Sequence, residues 1–339
     1  MHAVHIVKRF GPVGGMERYV WELVHALVEL GLQITVVCER AHQQADSRIT
    51  VIEVGETPPK PRWLSMLRFS SRVSRIERQY GWRAASDTII HSHERTAVHD
   101  VTTFHGPPMA PIKRRKLWWL SPRLITWLWL EKRELTRPGV TVLANSLQIQ
   151  NQLVAEYPSI QFGPIAWPAV SGSLPTCETP KSDLVFIGHE YYRKGLDRVV
   201  AAAEIIRQSR PITLSVVGAK QDAGLQKLIG GKKWILNQPW VENLNPSEWG
   251  RVLVHPARDE PYGMAVAEAI ASGIPCIISD QCGAKDHLNV AAVVGLDCSP
   301  DQWALAIKRH LESATSSLKP FLWRDLADQT IMMYQENAR

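Results

Sequence analysis

The stretch "DLVFIGHEYYRKGLDRVVAAAEIIRQSRPITLSVVG", residues 183–218, decides the fold class. "DLVFIG" (183–188) is a short apolar run that breaks at a glycine, as a buried strand does. Residues 195–208 then carry apolar side chains every three or four positions, which is helical spacing. "ITLSVVG" (212–218) is a second apolar run ending in glycine. Strand, helix, strand with these lengths predicts a βαβ unit, and so a parallel sheet covered by helices.

The same rhythm extends in both directions. "RVLVHP" (251–256) and "PCIISD" (275–280) read as strands, and 262–272 and 300–313 as helices. Upstream, "AVHIV" (3–7), "QITVVC" (33–38), "RITVIEV" (48–54), "DTIIHSH" (87–93), "VTTFHGPP" (101–108) and "GVTVLANS" (139–146) are strands, several running into loops. Residues 16–31 place Tyr19, Val20, Leu23, Val24, Leu27, Val28 and Leu30 on one helical face, and Gly31 supplies the stop. Asn145 and Ser146 are both possible caps of the helix that follows. "WPAVSGSLPTCETPKS" (167–182) has the composition of a linker. The expectation is an α/β chain of two Rossmann-like, doubly wound domains facing a cleft. The first spans 1–168, with 320–339 as a closing helix packing back on it, and the second spans 169–319.

Length agrees: 339 residues exceed one ordinary core. The most apolar stretch, Leu124–Leu130, is far short of the roughly 20 residues that span a bilayer. "MHAVHIVKRF" has no signal-peptide pattern. Cys38, Cys177, Cys276, Cys282 and Cys298 form no C-x-x-C pair and read as buried thiols of a reducing compartment. The formal net charge of +6 is uneven: residues 1–170 hold 21 Lys+Arg against 14 Asp+Glu, and the rest 18 against 19. The basic excess of the first half fits an anionic partner there.

In open parallel sheets, ligands sit beyond the C-terminal ends of the strands. That directs attention to 8–16, 91–95, 104–112, 188–195, 218–222 and 256–264. In "GPVGGMER" (11–18), Gly14 and Gly15 are expected to allow positive φ and close backbone approach to an anion at the helix start. The spacing is not the dinucleotide fingerprint G-x-G-x-x-G. In "GHEYYRKGLD" (188–197), Arg193 and Lys194 follow a strand and suit a diphosphate, the Arg as a fork and the Lys as a point charge. The same pair would serve as a solvated basic turn, but its place after a strand favours the anion. In "EPYGMAVAEA" (260–269), Gly263 and the amides through Ala265 are helix-start donors. Glu260 and Glu268 are poor neighbours for a phosphate and good acceptors for sugar hydroxyls. Hydroxyl groups flanking a diphosphate describe a nucleotide sugar.

These motifs together resemble GT-B glycosyltransferases, specifically glycosyltransferase family 4. "GGMERYVWELVHAL" is similar to that family's first Gly-rich loop and helix, and "FIGHEYYRKGLD" to its diphosphate motif. "EPYGMAVAEAIASGIP" is similar to its Glu-x7-Glu motif, and "FLWRDLADQTIMMY" (321–334) to its closing helix. The resemblance covers nearly the whole chain in order. It implies that Glu268 binds the ribose and Glu260 the transferred hexose, while Gly14, Gly15, Arg193, Lys194 and the Tyr262–Gly263–Met264–Ala265 turn hold the donor. It implies catalytic roles for Arg193, Lys194, Glu260 and His93, with His93, Glu94 and His105 on the acceptor side. It further implies retention of anomeric configuration. No D-x-D element occurs, so no metal ion and no cofactor are expected. Two departures, "VVGAKQD" and the short "NQPWVENLNPSEWGRVLVHP", leave the donor base open: a UDP-sugar is expected, with GDP- and ADP-sugars as alternatives.

"IKRRKLWWLSPRLITWLWLEKRE" (112–134) sets four consecutive cations before Trp118, Trp119, Trp127 and Trp129, with Ser121-Pro122 as a helix start. Basic residues beside Trp and Leu suit an anionic membrane surface, and the Trp63-containing 60–80 region is read the same way; for 112–134 the other reading is a core helix covering the sheet with its charges solvated at the ends, and both can hold for different faces. The function expected is transfer of a hexose or heptose to a lipid-linked glycan, in lipopolysaccharide-core or other cell-envelope synthesis. The enzyme would be cytoplasmic, peripheral on the inner face of the plasma membrane, and without a nucleic-acid partner. The rival readings are another GT-B nucleotide-sugar enzyme (an epimerase or phosphorylase) and a catalytically weak nucleotide-sugar-binding protein.

Overall fold

A computed structural model describes residues 1–172, 174–241, 244–311 and 320–337. The last two positions of the helix expected over 300–313 lie outside the described residues. The chain forms two compact units, one of Met1–Ala169 with Leu322–Arg339 and one of Val170–Phe321.

The first unit contains β1 (His2–Ile6), β2 (Arg9–Phe10), α1 (Gly15–Glu29), β3 (Gln33–Cys38), β4 (Arg40–Ala41), β5 (Ile49–Glu53), α2 (Arg62–Tyr80), β6 (Thr88–Ser92), β7 (Val101–Phe104), α3 (Pro122–Leu135), β8 (Thr141–Ala144), α4 (Leu147–Glu156) and β9 (Gln161–Phe162). Its main sheet is ordered β5-β3-β1-β6-β7-β8-β9, all pairs parallel. β2 and β4 pair apart from it. The second unit contains β10 (Leu184–Ile187), α5 (Leu196–Arg207), β11 (Leu214–Val217), α6 (Ala223–Ile229), β12 (Ile235–Gln238), α7 (Pro246–Trp249), β13 (Val252–His255), α8 (Met264–Ala271), β14 (Cys276–Ser279), β15 (Ala292–Val294) and α9 (Pro300–Leu311). Its parallel sheet is ordered β12-β11-β10-β13-β14-β15. The last helix, α10 (Trp323–Asn337), belongs to the first unit, where Trp323 meets Tyr19 of α1 edge-on at 5.5 Å.

Both sheets grow outward in one direction from their first strand, then restart on its other side. The reversal falls between β1 and β6 in one unit and between β10 and β13 in the other. A crevice opens at such a point, because the helices on either side leave in opposite directions.

Local chemistry explains the elements. α1 buries Tyr19, Val20, Leu23, Val24, Leu27 and Val28, the stripe that its spacing predicts, while Leu30 lies past its end as the C-cap. Gly31 at φ +87° then lets Leu32 N–H reach Leu27 O at 3.1 Å and closes the last turn. Ser146 caps α4 through Ile149 N–H at 3.2 Å, and Ser121 caps α3 with Pro122 in its first turn. Two expectations are corrected. Cys177 and Cys298 are partly exposed, and only Cys38, Cys276 and Cys282 are buried. The 60–80 region is α2, whose Met66, Phe69 and Val73 pack into the core with Trp82. Its apolar side is therefore covered by this unit's own sheet and not turned outward.

Candidate functional site

In the second unit, the loop after β10 and the loop after β13 are locked together at the switch point. Gly195 sits at φ +82°, and a Cβ there would lie 2.1 Å from Pro256 O, so the two backbones touch where only glycine fits. Arg258 N–H donates to Arg193 O at 2.8 Å. The Arg258 guanidinium grips Asp197 of α5 with two bonds of 2.9 and 2.7 Å and lies over the Tyr192 ring at 4.1 Å. Arg193 in turn donates to Asp259 O. The Lys194 stem folds over Gly188, where a Cβ would stand 2.3 Å from its Cδ.

This clamp delivers both cations to one carboxylate. Glu260 Oε2 lies 3.1 Å from Lys194 Nζ, 3.6 Å from an Arg193 guanidinium nitrogen and 3.3 Å from His255 Nε2. Burial alone would push the Glu260 carboxyl up. The His255 hydrogen bond and the charges of Lys194 and Arg193 outweigh that, and hold it well below the usual carboxylate range. Burial pushes His255 down, so it is a neutral donor to Glu260. Glu260 is also pinned through its backbone, with N–H on Gln281 O at 3.1 Å and O accepting from Gly283 N–H at 3.0 Å.

Gly263 caps α8 at φ +109°, and a Cβ there would press on Cys282 Sγ at 2.9 Å. Val266 N–H is the first in α8 to bond back to Gly263 O, at 2.9 Å, so the Met264 and Ala265 amides precede the intrahelical ladder. Tyr262 is buried, with its hydroxyl 2.9 Å from His287 Nδ1. Glu268 lies one turn inside α8 and is half-buried.

In the first unit, the loops after β1 and β6 meet the same way. Gly14 and Gly15 are not at positive φ: Gly14 is an extended N-cap (φ −169°) and Gly15 the first helical residue, while the left-handed glycine of this loop is Gly11 at φ +139°. Gly14 instead leaves room for Glu17, whose Oε2 would be 2.4 Å from a Cβ and whose Oε1 accepts from Arg9 Nε at 2.9 Å. Space beside Gly15 is open.

A cavity of about 160 Å³ lies beyond the β6 and β7 strand ends, lined by His93, Glu94, Arg95, Phe104, His105 and Glu134 among others. Burial pushes the Glu94 and Glu134 carboxyls up to about 7, against the pull of Arg95. Glu134 Oε1 accepts from Thr102 at 2.9 Å, while its buried Oε2 has no hydrogen-bond partner. His93 and His105 stand immediately past the ends of β6 and β7, and their rings bond to other rings. Their rings meet at 3.1 Å, and His93 also meets His5 at 3.2 Å.

His255, Arg258, Asp197, Glu134, His5 and His91 belong to these sites without a motif in the sequence that marks them. Glu134 follows the basic, Trp-rich run and carries no sequence sign of burial. The others act only through neighbours that the sheet brings together.

Two family profiles cover most of the chain: Glycosyltransferase Family 4 matches residues 13–166, and Glycosyl transferases group 1 matches 177–319. The chain therefore belongs to the family 4 type of GT-B glycosyltransferases. It is 22% identical over 383 residues to a glycogen synthase of Mycobacterium tuberculosis, covering 95% of this chain and 91% of that one. Its fold matches WaaG, a glycosyltransferase involved in lipopolysaccharide biosynthesis, with TM-score 0.71 at 16% identity over 98% of this chain and 95% of that one. It also matches Alr3699/HepE of Anabaena in complex with UDP-glucose, with TM-score 0.65 at 16% identity over 100% and 98%.

Proposed function

We propose that this glycosyltransferase moves a hexose or heptose from a nucleotide-diphosphate sugar to a lipid-linked glycan of the cell envelope, with retention of anomeric configuration. The observation that carries the donor half is the arrangement of Lys194, Arg193 and Glu260 at the β10/β13 switch point, beside the first amides of α8. Two cations and two amides suit a diphosphate, and Glu260 and Glu268 suit hydroxyls on either side of it. The UDP-glucose complex of HepE supports a UDP-sugar as donor.

Retention follows from a front-face displacement. The leaving diphosphate takes the acceptor hydroxyl's proton, and Arg193 and Lys194 stabilise the charge that grows on it. In the first unit, the His93–His105 cavity, with Glu94 and Glu134 on its wall, is the proposed acceptor pocket. Incubation with UDP-glucose, GDP-mannose and ADP-glucose in excess EDTA should raise the thermal midpoint for one donor class. That donor should be consumed at the rate seen without EDTA. A strict requirement for added divalent metal would contradict the cation assignment.

α3 and the turn before it support the lipid-linked acceptor. Leu128, Leu130 and Leu135 face the core, while Leu117, Trp119, Leu120, Ile125 and Trp129 are exposed beside Lys113, Arg114, Arg115, Lys116 and Arg123. Apolar and aromatic side chains among cations suit an anionic bilayer interface. No described helix is long and apolar enough to cross a membrane. The chain should sediment with phosphatidylglycerol-containing vesicles at low salt, and replacing Trp119 and Leu120 by serine should release it. Failure of the unaltered chain to bind at low salt would remove the membrane part of the proposal.

A further inference from the structure

Three buried imidazoles, the half-buried imidazole of His105 and one buried phenol form a single hydrogen-bonded line in the first unit. His91 Nε2 meets Thr103 Oγ1 at 2.7 Å, and its Nδ1 meets the Tyr334 hydroxyl at 2.5 Å. The same hydroxyl meets His5 Nε2 at 3.2 Å. His5 Nδ1 lies 3.2 Å from His93 Nε2, and His93 Nδ1 lies 3.1 Å from His105 Nε2. His105 Nδ1 ends the line with no hydrogen-bond partner among the described residues, in a residue that lines the cavity.

Burial pushes His5 and His105 down to about 3, and His91 and His93 well below the ordinary value, so all four rings are neutral at pH 7. A neutral imidazole has one donor and one acceptor nitrogen. Along this line only two arrangements therefore make every bond and also use the Tyr334 proton. Either all four rings carry the proton on Nδ1, with each donating toward the cavity, or all four carry it on Nε2, with each donating away from it. Any mixture leaves two donors or two lone pairs facing each other, or, where the Tyr334 oxygen accepts from both His91 and His5, leaves the buried phenol O–H without an acceptor, at the cost of an unmade hydrogen bond. In the first arrangement His105 offers an N–H to the cavity. In the second it offers a lone pair to a wall that carries Glu94 and Glu134, where it repels either carboxyl whenever that carboxyl is ionised.

We propose that Tyr334 and His5 are positioning residues that lock the four histidines in one shared tautomer, protonated on Nδ1, so that His105 presents a fixed N–H donor to the cavity. The ligand class this suits is a polyol: a hydroxyl oxygen accepts from His105 while neighbouring hydroxyls donate to Glu134 and Glu94. That part rests on reading the cavity as the acceptor pocket. His5, His91 and His93 also bring ligand nitrogens within 4.8 Å of one another. A metal ion there would compete for lone pairs that the hydrogen bonds already use.

The test uses the full chain labelled with ¹⁵N-histidine and two-bond ¹H–¹⁵N correlations at pH 7. The proposal expects the four rings to be neutral and uniformly Nδ1–H. Tyr334→Phe should return at least one of them to Nε2–H or to a mixture. His5→Phe, which cuts the line at a different point, should do the same and serves if the first variant does not fold. Mixed tautomers or an imidazolium in the unaltered chain, a tautomer pattern untouched by both cuts, or one equivalent of Zn²⁺ held through dialysis would each overturn it. A titration with n-octyl β-glucoside separates the two layers. Movement of the His105 signals, with binding about tenfold weaker in Tyr334→Phe, supports both. Uniform tautomers with no response to the glucoside uphold the lock and remove the acceptor reading.

Discussion

Replacing Lys194 by alanine is expected to lower turnover about 10²- to 10³-fold, the size typical for loss of one preorganised group that meets developing charge. The chain should remain folded. Glu260 loses its nearest cation but keeps Arg193 at 3.6 Å and the His255 hydrogen bond, so a shift of the thermal midpoint no larger than about 5 °C is expected. The companion Glu268→Ala should lower kcat/KM for the donor about 10- to 100-fold, since a hydrogen bond to a charged group is worth about 1.5–3 kcal/mol. Steady-state kinetics with the donor picked out by thermal shift read both. Unaltered turnover in either variant would sink the diphosphate and ribose assignments.

Gly195→Ala is expected to cost more stability than any other single methyl addition at this site. The residue stands at φ +82°, and the new Cβ would be 2.1 Å from Pro256 O, a backbone atom that cannot rotate away. Backbone strain of about 1–3 kcal/mol and the displaced loop together give roughly 3–5 kcal/mol. The second unit should then melt about 10 °C lower. Transfer should fall as well, because Arg193 and Lys194 immediately precede the displaced residue. Gly231→Ala is the control: its φ is +75°, but the space around it is open, so strain alone remains. Calorimetry that finds equal losses for the two variants would show that contact with the β13 loop does not fix the β10 loop.

How much of this was legible in the sequence depended on whether a feature is local. The α1 stripe could be read because 3.6-residue spacing leaves its mark within one segment. The Gly188-to-Gly195 turn and the 260–268 motif could be read because a strand end, a glycine and a helix start are contiguous. β12 was not read, since Ile235–Gln238 sits at the sheet edge and ends in Asn237 and Gln238, with no apolar run to announce it. α2 was not read as a core helix because its buried Ser65, Ser70 and Glu77 interrupt the apolar pattern. The Arg258–Asp197 grip and the histidine line were out of reach for a different reason. His5 and His91 lie 86 positions apart and become partners only because β1 and β6 pair in register. Adjacency across a sheet is decided by the whole topology, and no window along the chain contains it.

The return of α10 to the first unit has a consequence for how the protein is made. The second unit is one continuous segment and can complete its core as soon as it leaves the ribosome. The first unit, although synthesised earlier, must wait for residues near the end of the chain. Until Tyr334 emerges, His5 and His91 lack the hydroxyl that meets both of them in the finished unit. The order of synthesis and the order of completion are thus reversed.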